Sequence, residues 1–186
     1  MRIHGVLLTG GQSSRMGQDK AAIKLGDQTM AERIAVELGK VCCRITVLGP
    51  NPIRGATDHL PDEEHYPGPL VAISRIQTDA DAIFLASCDL PTFEAGLINS
   101  LSVDLGGCDA IIPILEGRQQ PLCGLYRAQA LEVARGLAQQ GERRIMAWIG
   151  ALDAKFVDLT DTPMASMVRN ANTQAELSKA LGEEPR

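Results

Sequence analysis

The stretch Ile3-His4-Gly5-Val6-Leu7-Leu8-Thr9-Gly10-Gly11-Gln12-Ser13-Ser14-Arg15-Met16-Gly17-Gln18-Asp19-Lys20 decides the fold. Ile3 to Leu8 reads as a fully buried strand, and a glycine-rich loop begins almost at once behind it. In an α/β sheet such a loop lies beyond the carboxyl ends of the strands, where ligands bind. Outward from there, short apolar runs alternate with helical segments. Ile45 to Leu48 reads as a second strand, closed by Gly49-Pro50. Ala82 to Ser87 reads as a third, apolar on both faces as a central parallel strand is. Asp109 to Ile114 and Leu122 to Tyr126 follow as further strands. Thr29 with Glu32 makes a capping-box pattern, and Met30, Ile34 and Leu38 then line one helical face. Further helices are predicted over 69–77, 93–102 and 127–140, the last with Leu131, Ala134 and Leu137 at helical spacing. Thr173 with Glu176 caps a final helix ending near Leu181, and 183–186 is expected to fray. The alternation predicts an α/β fold with a mostly parallel central sheet, in one domain over 1–186.

Composition narrows the function classes. The 186 residues are 45% hydrophobic and 22% charged, the balance of an ordinary soluble globular protein. Lys and Arg total 18 against 23 Asp and Glu, for a net charge of -5. That balance disfavours a nucleic-acid partner, and the 3% aromatic content argues against base-stacking platforms. Cys42, Cys43, Cys88, Cys108 and Cys123 are odd in number and contain no C-x-x-C pair. Zinc-ligand spacing is therefore absent, and buried free thiols in a reducing compartment are expected. The apolar run Val6-Leu7-Leu8 is too short for a signal peptide and far below the roughly 18 apolar residues of a membrane span. A cytoplasmic protein with no membrane partner is predicted.

The first loop carries the chemistry. Glycines let the backbone approach an anion closely, and their N–H groups with the hydroxyls of Ser13 and Ser14 can donate to phosphate oxygens. Arg15 and Lys20 add the positive charge that a triphosphate demands. A glycine-rich turn bearing a surface Arg and Lys is the competing account. The loop is not G-x-x-x-x-G-K-[ST], because Gln18 follows Gly17, and not G-x-G-x-x-G, because its glycines fall at 10, 11 and 17. The histidines, His4, His59 and His65, are scattered, so surface or structural roles are expected for each.

The string Leu8 to Ala21 resembles the L-x-G-G-x-S-x-R-M-G-x-D-K signature of nucleotidyltransferases that activate pterin cofactors, sugars and related phosphates. Tyr66-Pro67-Gly68-Pro69-Leu70 resembles the family's G-P-L turn before a helix, and Ser87-Cys88-Asp89-Leu90-Pro91 its C-D-x-P strand end. Gln120-Pro121-Leu122 with Tyr126-Arg127, then Gly141-Glu142-Arg143-Arg144, then Asn170-Ala171-Asn172-Thr173, resemble blocks of the molybdenum cofactor guanylyltransferases. The blocks span essentially the whole chain in order.

The resemblance implies a three-layer, Rossmann-like nucleotidyltransferase fold. It also implies transfer of GMP from GTP to the terminal phosphate of molybdenum–molybdopterin, releasing pyrophosphate. A phosphate monoester has a second pKa of about 6, so such a nucleophile needs no general base. In the implied site Lys20 and Arg15 hold the leaving pyrophosphate, and Leu8, Thr9, Gly10 and Gly11 offer backbone groups to GTP. Asp89 binds GTP and is the ligand of a magnesium ion, and Asp62 contacts the nucleotide. For Asp89 a turn or helix-cap role competes, and for Asp62 a merely solvated one. Gly68, Arg143, Arg144, Asn170 and Asn172 are implied contacts to the pterin or nucleotide, although a charged helix start on the surface would also account for the two arginines and capping of the last helix for Asn172. Molybdenum cofactor insertion proteins or acceptor molybdoenzymes are the implied protein partners. Gly10-Gly11, where the related cytidylyltransferase carries Ala-Ala-Gly, is read as room for a purine. Thr9, Leu48, Val71-Ala72 and Cys123 depart from the family pattern, with Asn51 near the strand end where some members carry a nucleotide-contacting Asn. The competing accounts are transfer to another acceptor or from CTP, and a non-catalytic molybdopterin carrier. A carrier would be expected to lose Lys20 or Asp89, and both are present.

Overall fold

The structure, a computed structural model, describes residues 1–10, 20–62 and 68–182. The expected fray at 183–186 lies outside them. In chain order the elements are β1 (Ile3–Leu8), a 3-10 turn (Lys20–Ala22), β2 (Lys24–Leu25), β3 (Gln28–Thr29), α1 (Met30–Gly39), β4 (Arg44–Leu48) and β5 (Asp58–Leu60). Then come α2 (Pro69–Ser74), β6 (Ala82–Ser87), α3 (Gly96–Asp104), β7 (Ala110–Leu115), β8 (Arg118–Gln119) and β9 (Cys123–Arg127). The chain continues through α4 (Ala130–Gln139), α5 (Ile145–Ile149), β10 (Ala154–Asp158), a 3-10 turn (Ala165–Val168) and α6 (Gln174–Leu181).

One sheet runs β10-β7-β9-β6-β1-β4-β5, with β8 paired to β7. Period-2 alternation splits its residues between two cores. Leu7, Phe84 and Ala86 pack with Ile34 and Leu38 of α1, Leu97 and Leu101 of α3 and Leu177 of α6. Val6, Ile83 and Leu85 pack with Leu70 and Ile73 of α2, Leu131 of α4 and Trp148 of α5. The result is the predicted helix–sheet–helix layering. β1 pairs parallel with β4 and β6, β4 with β5, and β7 with β10. β6, read as a central parallel strand, is parallel only on its β1 side; β9 runs antiparallel on the other.

Local chemistry accounts for the boundaries. Thr29 and Glu32 form the predicted capping box of α1, and Thr173 with Glu176 that of α6. The helix expected over 69–77 stops at Ser74, where Arg75 N–H and Ile76 N–H turn back to Ala72 O and Ile73 O, tightening the last turn. The helix expected from 127 starts at Ala130, because Arg127 still belongs to β9 and its N–H donates to Asp109 O. The helix expected over 93–102 is shifted to Gly96–Asp104, after bonds from Phe93 N–H to Leu90 O and Leu97 N–H to Glu94 O. β5, β10 and α5 escape sequence reading: the strands are short or exposed, and α5 has only five residues.

Candidate active site

The strands β4, β1 and β6 lie side by side in register, Leu8 facing Leu48 on one side and Ser87 on the other. Parallel pairing brings their carboxyl ends to one edge of the sheet. The ends are stitched together beyond the strands. Thr9 N–H donates to Leu48 O at 2.8 Å, Gly10 N–H approaches the same oxygen at 3.4 Å, and Cys88 N–H donates to Leu8 O at 3.0 Å. Thr9, a departure from the family pattern, is buried, and its hydroxyl also points at Leu48 O, at 3.3 Å. Gly49 is fitted to that arrangement: a Cβ there would stand 2.0 Å from Thr9 Oγ1 and 2.9 Å from Gly10 N.

Asp62 reaches the same edge through β5, the strand hidden from sequence reading. Its carboxylate lies against Gly10, where an added Cβ would meet Asp62 Oδ2 at 2.8 Å and Oδ1 at 3.1 Å. The Asp62 carboxylate thus lies in the space beside Gly10, and Gly11, the other residue of the purine argument, lies outside the described residues. Beside Thr9 a cleft of about 190 Å³ runs between Ala21, Thr29 and Asn51–Arg54. Leu48 and Ala72 are buried in the core, so their side chains carry no base contact, whereas Asn51 is exposed and lines the cleft.

Asp89 stands two residues beyond β6, half-buried, and Ser87 Oγ donates to its Oδ1 at 2.5 Å. Its carbonyl accepts Ala171 N–H at 2.8 Å, which brings Asn170 and Asn172, both exposed, to the same corner. Helix capping there belongs to Thr173 and Glu176; Glu176 also takes Asn172 N–H at 2.6 Å. Ser87 was not singled out from the sequence. A polar residue ending an apolar strand two positions before an Asp is the signal that could have found it.

Gly68 and Arg143 form a second contact. Gly68 has φ +95°, and a Cβ there would meet Arg143 O at 3.0 Å, so this turn of the G-P-L block seats the 141–144 loop. Glu142 organises that loop: it takes the N–H groups of Arg143 and Arg144, and Arg144 grips it through Nη2 at 2.7 Å and Nε at 3.0 Å. The Arg144 side chain and those N–H groups hold the Glu142 carboxyl down at about 2. The two implied arginines therefore differ. Arg144 is committed to Glu142, and Arg143 is exposed beside Gly68.

Among the remaining expectations, Gly11 and Arg15 fall outside the described residues, as does His65, and Lys20 is placed only by its backbone at the head of the 3-10 turn. The structural roles expected of His4 and His59 hold: His4 Nε2 lies 2.8 Å from Thr46 Oγ1, and His59 Nε2 2.8 Å from Gly49 O. The cysteines are free thiols, but only Cys88 and Cys123 are buried, and Cys43 is exposed at the start of β4 rather than in the core. Burial pushes the Cys42 thiol up to about 12 and raises that of Cys123 further, so both are inert. No described helix is long and apolar enough to cross a membrane.

A mostly parallel sheet with a glycine at its first strand end and an Asp two residues past the neighbouring strand has the ligand-binding edge of an α/β enzyme, and its family makes that enzyme a nucleotidyltransferase. Residues 5–155 match the MobA-like NTP transferase domain, and the chain belongs to that family. A protein of Mycobacterium marinum named a molybdenum cofactor guanylyltransferase is 32% identical over 187 residues, covering 93% of this chain and 90% of its own. The crystal structure of molybdopterin-guanine dinucleotide biosynthesis protein A from Archaeoglobus fulgidus superposes with a TM-score of 0.75 at 21% identity, over 95% of this chain and 96% of that one. A Mycobacterium tuberculosis protein crystallised as a manganese complex shares the fold, with a TM-score of 0.68 at 15% identity over 99% of this chain and 100% of its own. Enzymes of this family generally use a divalent metal.

Proposed function

We propose that the chain transfers GMP from GTP to the terminal phosphate of molybdenum–molybdopterin, acting in the cytoplasm. An oxygen of the acceptor phosphate attacks the α-phosphorus of GTP. The new P–O bond forms as the bond to the bridging α–β oxygen breaks, and pyrophosphate departs with that electron pair. The single observation that carries this reading is the stitched edge at which Leu8–Gly10, Asp62 and Asp89 meet. The acceptor is already largely dianionic at neutral pH, so the residues need only position the reactants and neutralise charge. The backbone at Leu8, Thr9, Gly10 and Gly11 and the carboxylate of Asp62 orient the nucleotide. Lys20 and Arg15 stabilise the leaving pyrophosphate. Gly68, Arg143, Asn170 and Asn172 face the acceptor side; Arg144 serves through its hold on Glu142.

Asp89 would hold magnesium. Its carboxylate is a hard oxygen donor at the sheet edge, and no cluster of three His, Cys, Asp or Glu forms among the described residues. That donor set fits a cation coordinated mainly by phosphate oxygens and water. When bound, the ion supplies neutralisation of the triphosphate. The dinucleotide product passes to molybdenum cofactor insertion proteins or acceptor molybdoenzymes. Incubation with GTP, magnesium and molybdenum–molybdopterin should yield the guanine dinucleotide and pyrophosphate, with CTP a poor substitute. Preferred use of CTP would move the assignment to cytidylyl transfer, and binding without turnover would make the chain a carrier.

A further inference from the structure

We infer that Ser87 is a positioning residue for the Asp89 carboxylate, an inference that rests on Asp89 as the metal ligand. Ser87 is the last residue of β6, fixed by its register with Leu8 on one side and by its N–H bond to Leu122 O, 2.9 Å, on the other. Its hydroxyl is therefore placed by the sheet rather than by a mobile loop. The main chain around Asp89 is equally constrained, through Cys88 N–H to Leu8 O at 3.0 Å and Ala171 N–H to Asp89 O at 2.8 Å. With the backbone held from both sides, the carboxylate keeps only its side-chain torsions. The 2.5 Å bond from Ser87 Oγ to Asp89 Oδ1 restrains those. Such a short O–H···O⁻ contact is the charge-assisted kind, and it orients the carboxylate before any cation arrives. Asp89 is not used to cap α3, whose N-cap is Ala95, so the pair has no helix-terminating duty.

The competing account is a local Ser–Asp bond that merely stabilises the turn. GTP binding measured by calorimetry with and without Mn2+ separates the two, because the ratio of dissociation constants isolates the contribution of the metal. Ser87→Ala should reduce that ratio about tenfold, the size typical of a lost outer-shell partner, while metal-free GTP affinity stays at the parent value. Ser87→Thr should restore the ratio, and Ser87→Val, of the same shape as Thr without the hydroxyl, should not. The Thr/Val pair decides the matter if the Ala variant fails to fold. An unchanged or larger ratio in both Ser87→Ala and Ser87→Val overturns the inference, as does a fall in metal-free affinity that matches the fall with Mn2+. Asp89→Asn tests the underlying assignment separately. If it leaves the ratio intact, Asp89 is not the ligand and both readings fall; if it abolishes the ratio while Ser87→Val does not, only the positioning role falls.

Discussion

In the half of the sheet formed by β5, β4, β1 and β6 every pairing is parallel, whereas β9 joins β6 and β7 by antiparallel ladders and parallel pairing returns only at β10. The parallel half delivers all its carboxyl ends to one edge, so Thr9, Asp62 and Asp89 arrive there by topology. β9 runs against those strands and brings its amino end to that edge, while β7 and β10 run in the same direction as β6. That half meets the site through single contacts: Leu122 O on Ser87 N–H, Ala171 N–H on Asp89 O, and Arg143 against Gly68. It also holds the largest buried side chain, Trp148, stacked on Tyr126 with ring centroids 4.6 Å apart. On the proposed function, nucleotide chemistry falls to the first half and much of the anchoring to the second.

Trp148→Ala should produce the largest effect and test the anchoring side. The indole is fully buried and donates from Nε1 to Ala130 O at 2.9 Å, so truncation empties a large volume and loses that hydrogen bond. A loss of about 3–5 kcal/mol is expected, read from the urea midpoint, with kcat of the folded protein near that of the parent. Lys20→Ala should do the reverse. A charge that stabilises departing pyrophosphate matters more in the transition state than in bound GTP, so kcat at saturating GTP should fall roughly 100-fold, about 2.7 kcal/mol. The urea midpoint should hold. A Lys20→Ala enzyme with parental kcat and a raised KM would reduce Lys20 to simple binding; a Trp148→Ala protein that loses kcat but not stability would erase the division between the halves.

The parallel half was also the more legible. Ile3–Leu8 and Ala82–Ser87 are mostly apolar and almost wholly buried because both faces are covered, and the sequence reading matches their limits to the residue. Both capping boxes were visible because a Thr and a Glu three residues apart satisfy each other. β5 was not, since a three-residue edge strand reading Asp-His-Leu carries no apolar signature, and with it went the reason Asp62 reaches Gly10. β10 is an edge strand with Lys155 and Phe156 exposed, so no alternation marks it. Ser87 lies outside the matched motif letters; its polar place at the end of an apolar strand is a weak signal, and the hydrogen bond to Asp89 gives it meaning. The difference between Arg143 and Arg144 likewise depends on Glu142 folding back on the loop, which adjacency in sequence does not specify.

Gly49→Ala sharpens the account of the stitched edge, at a smaller cost. The added Cβ would lie 2.9 Å from the backbone nitrogen of Gly10 and 3.1 Å from the Thr9 carbonyl carbon, besides its collision with Thr9 Oγ1. Rotating Thr9 relieves only the side-chain clash, so the strand ends must part. A destabilisation of about 1–3 kcal/mol is expected, accompanied by weaker GTP binding in calorimetry. Lost stability with parental GTP affinity would detach the stitch from the nucleotide site.

The smallest effect concerns pH and His4, which belongs to the parallel half but lies at the opposite end of β1 from the site. Burial lowers its pKa below the ordinary 6.5, helped by the nearby Arg44 guanidinium and opposed by Asp58 and Asp79. Nδ1 is buried without a partner. An unpartnered lone pair costs less than an unpartnered N–H, so the neutral ring donates from Nε2 to Thr46 Oγ1 and leaves Nδ1 unprotonated. Protonation would place a bare N–H and a charge in the core. The unfolded chain therefore binds the proton first, and stability, complete above about 6.5, declines as pH falls through that value toward the lowered folded pKa. The carboxyls held low by Arg2, Arg44, Arg144 and Arg169 add their losses only below their ordinary values of 3.8 to 4.5, so the windows separate. His4→Gln keeps a hydrogen-bonding group for Thr46 and removes the titration. Its Tm should be flat from pH 7 to about 5, where the parent declines. If the variant declines in parallel with the parent, the titrating group lies elsewhere.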